Sequence, residues 1–143
     1  MARLYKREQF SYPHLIARWL AAMFLVFATY NPSGHSYFHW VMDMESGRWS
    51  IKILVGLCLI VLHLTFAYAT ARAIGAVGVL ATTTLFSSAV WALVDLGYLS
   101  DLGLWGWVTV ILSLLATLLA IGVSWSYIRN RLSGQVDSND ITL

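Results

Sequence analysis

The sequence predicts an all-α membrane protein with four transmembrane helices, and three observations lead to this fold class. Hydrophobic residues make up 59% of the 143 residues and charged residues only 11%, whereas soluble domains carry about 25% charged residues. The mean hydropathy is +0.69. The apolar residues are concentrated in four long runs, each near the roughly 20 residues that cross a bilayer as a helix. Neither a water-soluble globular domain nor an intrinsically disordered chain fits these values.

The four predicted spans cover residues 14–30, 51–69, 73–96 and 104–128. Continuous apolar runs favour helices, because the strands of membrane barrels are about 10 residues long and alternate polar with apolar positions. The first run exceeds the apolar segment of a signal peptide and ends without a small-residue cleavage pattern, so we interpret it as a retained helix. Residues 1–132 therefore form the predicted domain, and residues 133–143 a polar, mobile tail.

The distribution of Lys and Arg predicts that both termini lie in the cytoplasm. Seven basic residues belong to the two terminal segments and the turn after the second span: Arg3, Lys6, Arg7, Arg18, Arg72, Arg129 and Arg131. Only Arg48 and Lys52 lie near the opposite ends of the spans. Short cytoplasmic loops are enriched in basic residues, which sets this orientation. A contact between Lys52 and Asp95 is expected to clasp the outer ends of the second and third spans.

The first outer loop is predicted to contain a turn followed by a short interfacial helix. Asn31-Pro32-Ser33-Gly34 combines residues typical of turns. Residues 35–45 read HSYFHWVMDME, which on one helix separates an aromatic face from a polar face. The next connection, Thr70-Ala71-Arg72, is expected to form a tight inner turn between the second and third spans.

The polar face of the predicted interfacial helix carries the candidate metal ligands His35, His39 and Asp43. Two histidines at i and i+4, with a carboxylate one turn further, have the spacing that chelates a cation such as zinc. The alternative interpretation is that two histidines and one acid share a short polar face by chance. No cofactor is predicted.

Three ionisable residues lie within the predicted spans, where charge is costly and often functional. Arg18 is close enough to the cytoplasmic face to extend towards it, or it binds a lipid headgroup or a partner. His63 is expected to be a neutral imidazole bonded to Thr65 or to a hydroxyl of residues 82–84, because no second imidazole lies at its depth for a haem. Asp95 lies near the outer end of the third span.

Small residues on the third and fourth spans form the candidate packing seam: Gly75, Gly78, Thr82, Gly122 and Ser126. Small residues at intervals of four let helix backbones approach closely in a membrane, where lipid supplies no hydrophobic drive between helices. The seam either packs the helices of one chain together or joins the chain to another copy or partner.

Several stretches resemble a family of small bacterial inner-membrane proteins classed as a domain of unknown function. They are RWLAAMFLVFATYNPSGHSYFHWV from Arg18, ATARAIGAVGVL from Ala69, WALVDLGYL from Trp91 and GVSWSYIRNRLSGQVD from Gly122. The resemblance covers most of the chain. It implies four membrane helices and an inner-membrane location, and it supplies no catalytic residue or substrate.

The motifs and charges favour a non-catalytic function. The sequence contains no phosphate-binding loop, no HExxH and no GxSxG pattern, so we do not expect an enzyme. The net charge of +2, with no basic cluster, does not indicate a nucleic-acid partner. We expect a protein that contacts membrane lipids and acts through helix packing, as a homo-oligomer or as an accessory subunit of a larger membrane complex. The alternative is a small channel or transporter formed by oligomerisation.

Overall fold

The computed structural model describes the backbone of residues 12–133 and the side chains of residues 13–125 and 128. Four helices occur in this part of the chain, and no strand. They are α1 (Tyr12–Thr29), α2 (Tyr37–Met42), α3 (Trp49–Asp95) and α4 (Leu104–Ser133). The predicted all-helical class is confirmed. The predicted tail lies outside the described residues, apart from Ser133 at the end of α4.

Two prolines mark the ends of α1. Pro13 lies in the first turn, where its missing N–H removes no helical hydrogen bond. The helix ends at Thr29, shortly before Pro32. A proline disfavours the helical conformation in the residue that precedes it, here Asn31. The chain therefore leaves the helix at the predicted turn.

Helix α3 contains one non-helical residue, and it is not at the predicted turn. Thr70, Ala71 and Arg72 all remain helical, whereas Gly75 adopts φ 67° and ψ 173°. This conformation is available to glycine at little cost because it has no Cβ atom. The prediction of a turn at residues 70–72 was therefore wrong. The helical path breaks at the glycine instead.

Two of the described helices are long and apolar enough to cross a membrane, Trp49–Asp95 and Leu104–Trp125. The sequence predicted four separate spans. The number of such helices in the structure is smaller for two reasons. The second and third predicted spans belong to the single helical run of α3, and the apolar part of α1, Pro13–Thr29, is shorter. This finding suggests association with a membrane.

The core lies where α4 packs against α1, and it is built from small side chains. Five buried residues form it: Ala22, Val26, Ala116, Leu119 and Ala120. Helix α4 also packs against α3, whereas α1 and α3 share far fewer contacts. Alanines at the centre allow close approach of the helices, which matters where dispersion supplies most of the attraction. Helix α4 is therefore the element on which both other long helices rest.

Hydrogen bonds between described side chains and α4 link this helix to its neighbours. The indole Nε1 of Trp19 donates to Thr117 Oγ1 at 3.2 Å. The hydroxyl of Thr70 donates to the carbonyl oxygen of Leu119 at 3.3 Å, in a buried position. Gly122 faces the Thr70 side chain, and a Cβ atom at residue 122 would overlap it. The lack of a side chain at Gly122 thus sets how closely α3 approaches α4.

We predict that Gly122→Ala destabilises the fold by about 1–3 kcal/mol, because an added methyl group in a close contact forces the helices apart. Unfolding of the purified protein in mixed detergent micelles measures this. Gly103→Ala is the matched control, since nothing lies within 4 Å of a Cβ at that residue. Equal stability of the two variants would contradict the prediction.

Candidate functional site

Asn31 organises the turn between α1 and α2 with all of its side-chain polar atoms. Its Nδ2 donates to the carbonyl oxygens of Phe27 at 3.0 Å and His35 at 2.8 Å. Its Oδ1 accepts from the backbone N–H of Ser33 at 3.1 Å and from the Ser33 hydroxyl at 2.6 Å. One of these bonds satisfies a carbonyl of the last turn of α1. The turn predicted at Asn31 is therefore a closed hydrogen-bonded structure.

Lys52 is the best-buried charged residue of the described chain, with 1% of its surface exposed. Its ammonium Nζ donates to the backbone carbonyl oxygen of Asp43 at 2.6 Å. The same atom lies 4.7 Å from the ring centroid of Trp49 and 5.7 Å from that of Trp40. These are cation–π distances, and such contacts strengthen when the cation is removed from water. The ammonium therefore holds the end of α2 against the start of α3.

Tyr37 completes this contact from the other end of α2. Its hydroxyl donates to the carbonyl oxygen of Lys52 at 2.9 Å. The ring passes over Gly56, where a Cβ atom would overlap the tyrosine hydroxyl. We name the set Tyr37, Trp40, Trp49, Lys52 and Gly56 the lysine clasp. It ties a six-residue helix firmly to a long one.

The clasp differs from the one that the sequence predicted. Lys52 bonds to the carbonyl of Asp43, and Asp95 is exposed at the end of α3. The expectation of a Lys52–Asp95 contact was wrong because the start of α3 is covered by α2. The two tryptophans that precede Lys52 in the sequence, Trp40 and Trp49, were the signal that sequence reasoning missed. Gly56 has no comparable signal, since its role depends on a tyrosine 19 positions earlier.

A cavity of about 910 Å³, widely open to its surroundings, lies beside the clasp, between α1, α2 and α3. This volume is within the range of about 300–1,000 Å³ that is usual for small-molecule sites. Its apolar wall includes Phe24 and Phe27 of α1 and Val55 and Leu59 of α3. Its polar lining comes from the turn and from α2 with its flanks: Asn31, His35, Ser36, His39 and Asp43. The cavity therefore has an apolar end and a polar end.

His35, His39 and Asp43 share this lining but do not form the predicted metal site. Only residues 37–42 are helical, so His35 and Asp43 lie outside α2 and the i, i+4, i+8 face does not exist. Among the described residues, no three His, Cys, Asp or Glu side chains are placed to hold one metal ion. His35 Nδ1 donates to Ser33 O at 3.0 Å, and His39 Nδ1 lies 2.7 Å from Ser36 Oγ. Both imidazoles thus have partners in the turn.

The intramembrane polar candidates are dispersed. Arg18 is half-buried near the start of α1. His63 Nδ1 donates to the carbonyl oxygen of Leu59, one turn earlier on α3, at 2.8 Å. This bond replaces the predicted partners, because Thr65 itself bonds to Val61 O. With Asp95 at the far end of α3, the three ionisable residues do not form one site.

The predicted packing seam is divided between two environments. Gly122 is buried against Thr70, so it packs helices of one chain together. Gly75 and Gly78 belong to α3 at and after the break, where a Cβ atom would meet no residue other than Ile74. Thr82 bonds to the carbonyl of Gly78 at 2.8 Å. The Ser126 side chain lies outside the described residues.

The sequence matches a family of unknown function over residues 13–143. The chain belongs to this family, DUF6524. The predicted resemblance to a domain of unknown function is thereby confirmed, and the match includes the lysine clasp and the whole cavity. No curated protein matches the sequence. No solved structure matches it either.

We predict that Lys52→Met loosens α2. A hydrogen bond from a charged donor contributes about 1.5–3 kcal/mol, so its loss is expected to speed hydrogen exchange at residues 40–45 by roughly tenfold or more. Mass spectrometry of peptides from this segment measures the change. Arg48→Met is the matched control, because Arg48 is exposed. Exchange that is equally slow in both variants would show that the lysine does not hold the helix.

Proposed function

We propose that this protein is an integral protein of the bacterial inner membrane whose chain crosses the bilayer four times. A 47-residue helix would extend about 70 Å if straight, more than twice the roughly 30 Å of a hydrocarbon core. Gly75 divides this helix into residues 49–74 and 76–95, each of which reaches the length of one span. The 18-residue α1 is within the range of about 17–25 residues. Two crossings by α3, one by α1 and one by α4 make four.

The proposed orientation keeps both chain ends on the cytoplasmic side. Seven of the nine Lys and Arg residues then flank cytoplasmic ends of the spans. The two exceptions, Arg48 and Lys52, lie at the start of α3, where the clasp satisfies Lys52 within the protein. An even number of crossings and the excess of basic residues support this orientation.

Reporter fusions test the topology directly. We expect alkaline phosphatase to be inactive, and a fluorescent protein active, when either is fused after residue 143 or before residue 1. Fusions within residues 97–102 are expected to give the opposite result. A carboxyl-terminal fusion that reports the periplasm would refute the four-crossing arrangement.

We propose further that the protein acts without catalysis, through helix packing, as a homo-oligomer or an accessory subunit of a membrane complex. The observation that carries this proposal is the exposure of the second half of α3. The buried residues of α3 are Lys52, Gly56 and Thr70, all before the break at Gly75. The helix after the break therefore offers its surface to lipid or to another protein.

Four hydroxyls favour a protein over lipid as the neighbour of this surface. Thr83, Thr84, Ser87 and Ser88 are exposed, and none of the described residues accepts a hydrogen bond from them. By contrast, Thr65 and Thr82 on the same helix each bond to the carbonyl one turn earlier. Hydrocarbon offers no hydrogen-bond partner. A facing helix supplies such partners, and small residues allow it to come close.

We predict that Thr84→Leu with Ser88→Leu shifts the protein from the assembled to the monomeric form. Interhelical hydrogen bonds in membranes average about 0.6 kcal/mol, so losing two corresponds to roughly a five- to tenfold weaker association. Native mass spectrometry in mild detergent measures the distribution.

Thr65→Leu is the matched control, since Thr65 is also exposed on α3 but its hydroxyl is satisfied within the helix. We expect this variant to assemble like the wild type. A wild-type protein that is monomeric, free of partners, in several mild detergents would refute the proposal.

A further inference from the structure

We infer that the cavity between α1, α2 and α3 binds one membrane lipid, with an acyl chain on the apolar wall and a zwitterionic headgroup at the polar end. The inference rests on the membrane insertion proposed above. It assigns a ligand to residues that neither the packing proposal nor the family description uses.

The position of the apolar wall favours an acyl chain. Phe24 lies about 8 Å along the axis from the end of α1, and Leu59 about 15 Å from the start of α3. With four crossings, this depth corresponds to the outer half of the hydrocarbon core, which is about 30 Å thick in total. The cavity of about 910 Å³ therefore opens its apolar end where lipid tails are the surrounding solvent.

The polar end lies at the level of the headgroups and carries a carboxylate. Asp43 lines the cavity, and its Oδ1 accepts the backbone N–H of Glu45 at 3.1 Å. Its other carboxylate oxygen accepts nothing from the described residues. The Lys52 ammonium is 2.6 Å from the Asp43 carbonyl oxygen and close to Trp40, which also lines the cavity. Lys52 itself is buried beside the rings of Trp40 and Trp49 and does not line the cavity, so the charge that the polar end presents is the Asp43 carboxylate.

This carboxylate selects the class of headgroup. An ammonium group donates to the open oxygen of Asp43 in a charge-assisted hydrogen bond, and the ring of Tyr37 in the same lining favours a cation. A purely anionic headgroup would meet the Asp43 carboxylate without an ammonium to compensate. Phosphatidylethanolamine has the matching chemistry, and phosphatidylglycerol lacks the amine.

The experiment uses the full-length protein exchanged into nanodiscs that contain both lipids in equal amounts with identical acyl chains. After release into mild detergent, native mass spectrometry counts the lipids that stay bound. We expect one retained lipid, with phosphatidylethanolamine several-fold over phosphatidylglycerol. Absence of a retained lipid, or preference for phosphatidylglycerol, would overturn the inference.

Two pairs of variants test the apolar wall. Val55→Phe and Ala28→Phe place a ring in the apolar end of the cavity from α3 and α1, where it competes with an acyl chain, and we expect most of the retained lipid to be lost. Val61→Phe and Ala21→Phe place the same ring on exposed positions of the same helices and should retain it. Helical content by circular dichroism confirms that each variant is folded. Equal retention across either pair would overturn the inference.

A third pair tests the headgroup. Asp43→Asn is expected to abolish the preference for phosphatidylethanolamine, whereas Glu45→Gln, the exposed neighbouring acid, should keep it. A preference that Asp43→Asn leaves unchanged would refute the assignment. Resistance to extraction by alkaline carbonate is measured on the cell membranes from which each variant is purified. Lipid loss in a protein that remains membrane-integrated counts against the cavity site alone, whereas extraction by carbonate counts against the proposed membrane function.

Discussion

The close approach of α3 to α4 at Thr70 and Gly122 is the constraint on which the arrangement of the helices depends. A side chain at Gly122 would overlap Thr70, and the Thr70 hydroxyl bonds across to the α4 backbone at Leu119. On another face of α4, the alanines at 116 and 120 belong to the core that packs against α1. Residues with little or no side chain thus decide how the long helices meet. Small side chains at the helix contacts suit a protein in lipid, where close packing rather than the exclusion of water holds helices together.

The lysine clasp attaches the short helix α2, which lies outside the core. A helix of six residues is too short to be stable by itself in water. Here its two ends are held by Tyr37 and by the Asp43 carbonyl, both of which bond to Lys52. Two tryptophan rings cover the ammonium, so its charge is stabilised without a carboxylate partner. The position of α2 in turn closes one side of the cavity.

The contrast between the two halves of α3 links the fold to the proposed function. The first half is anchored by the clasp and by Thr70, whereas the second half buries no residue. Small residues and unsatisfied hydroxyls are concentrated on the half that buries no residue. Under the proposed function, a second copy or a partner covers this half. The proposed lipid site lies on the anchored half, so lipid binding and assembly use different parts of the same helix.

The sequence by itself determined the features that follow from composition and from local chemistry. Long apolar runs dictate helices, Asn31-Pro32 ends the first of them, and the family is recognisable from contiguous stretches. The same local reasoning failed where residues distant in the sequence also affect the local conformation. It placed a turn at residues 70–72, which remain helical up to the break at Gly75. It also placed His35 and Asp43 on one helix, which is only six residues long.

Tertiary structure alone decided which small residues pack inside the chain and which groups surround the cavity. Gly122 and Gly78 are equivalent by sequence spacing, but only Gly122 meets another helix. In the sequence, Lys52 is a lysine beside a loop. In the folded chain, α2 covers it and brings Trp40 and the Asp43 carbonyl to its ammonium. Periodicity specifies the face on which a residue lies, whereas its neighbour across that face depends on how separate helices pack.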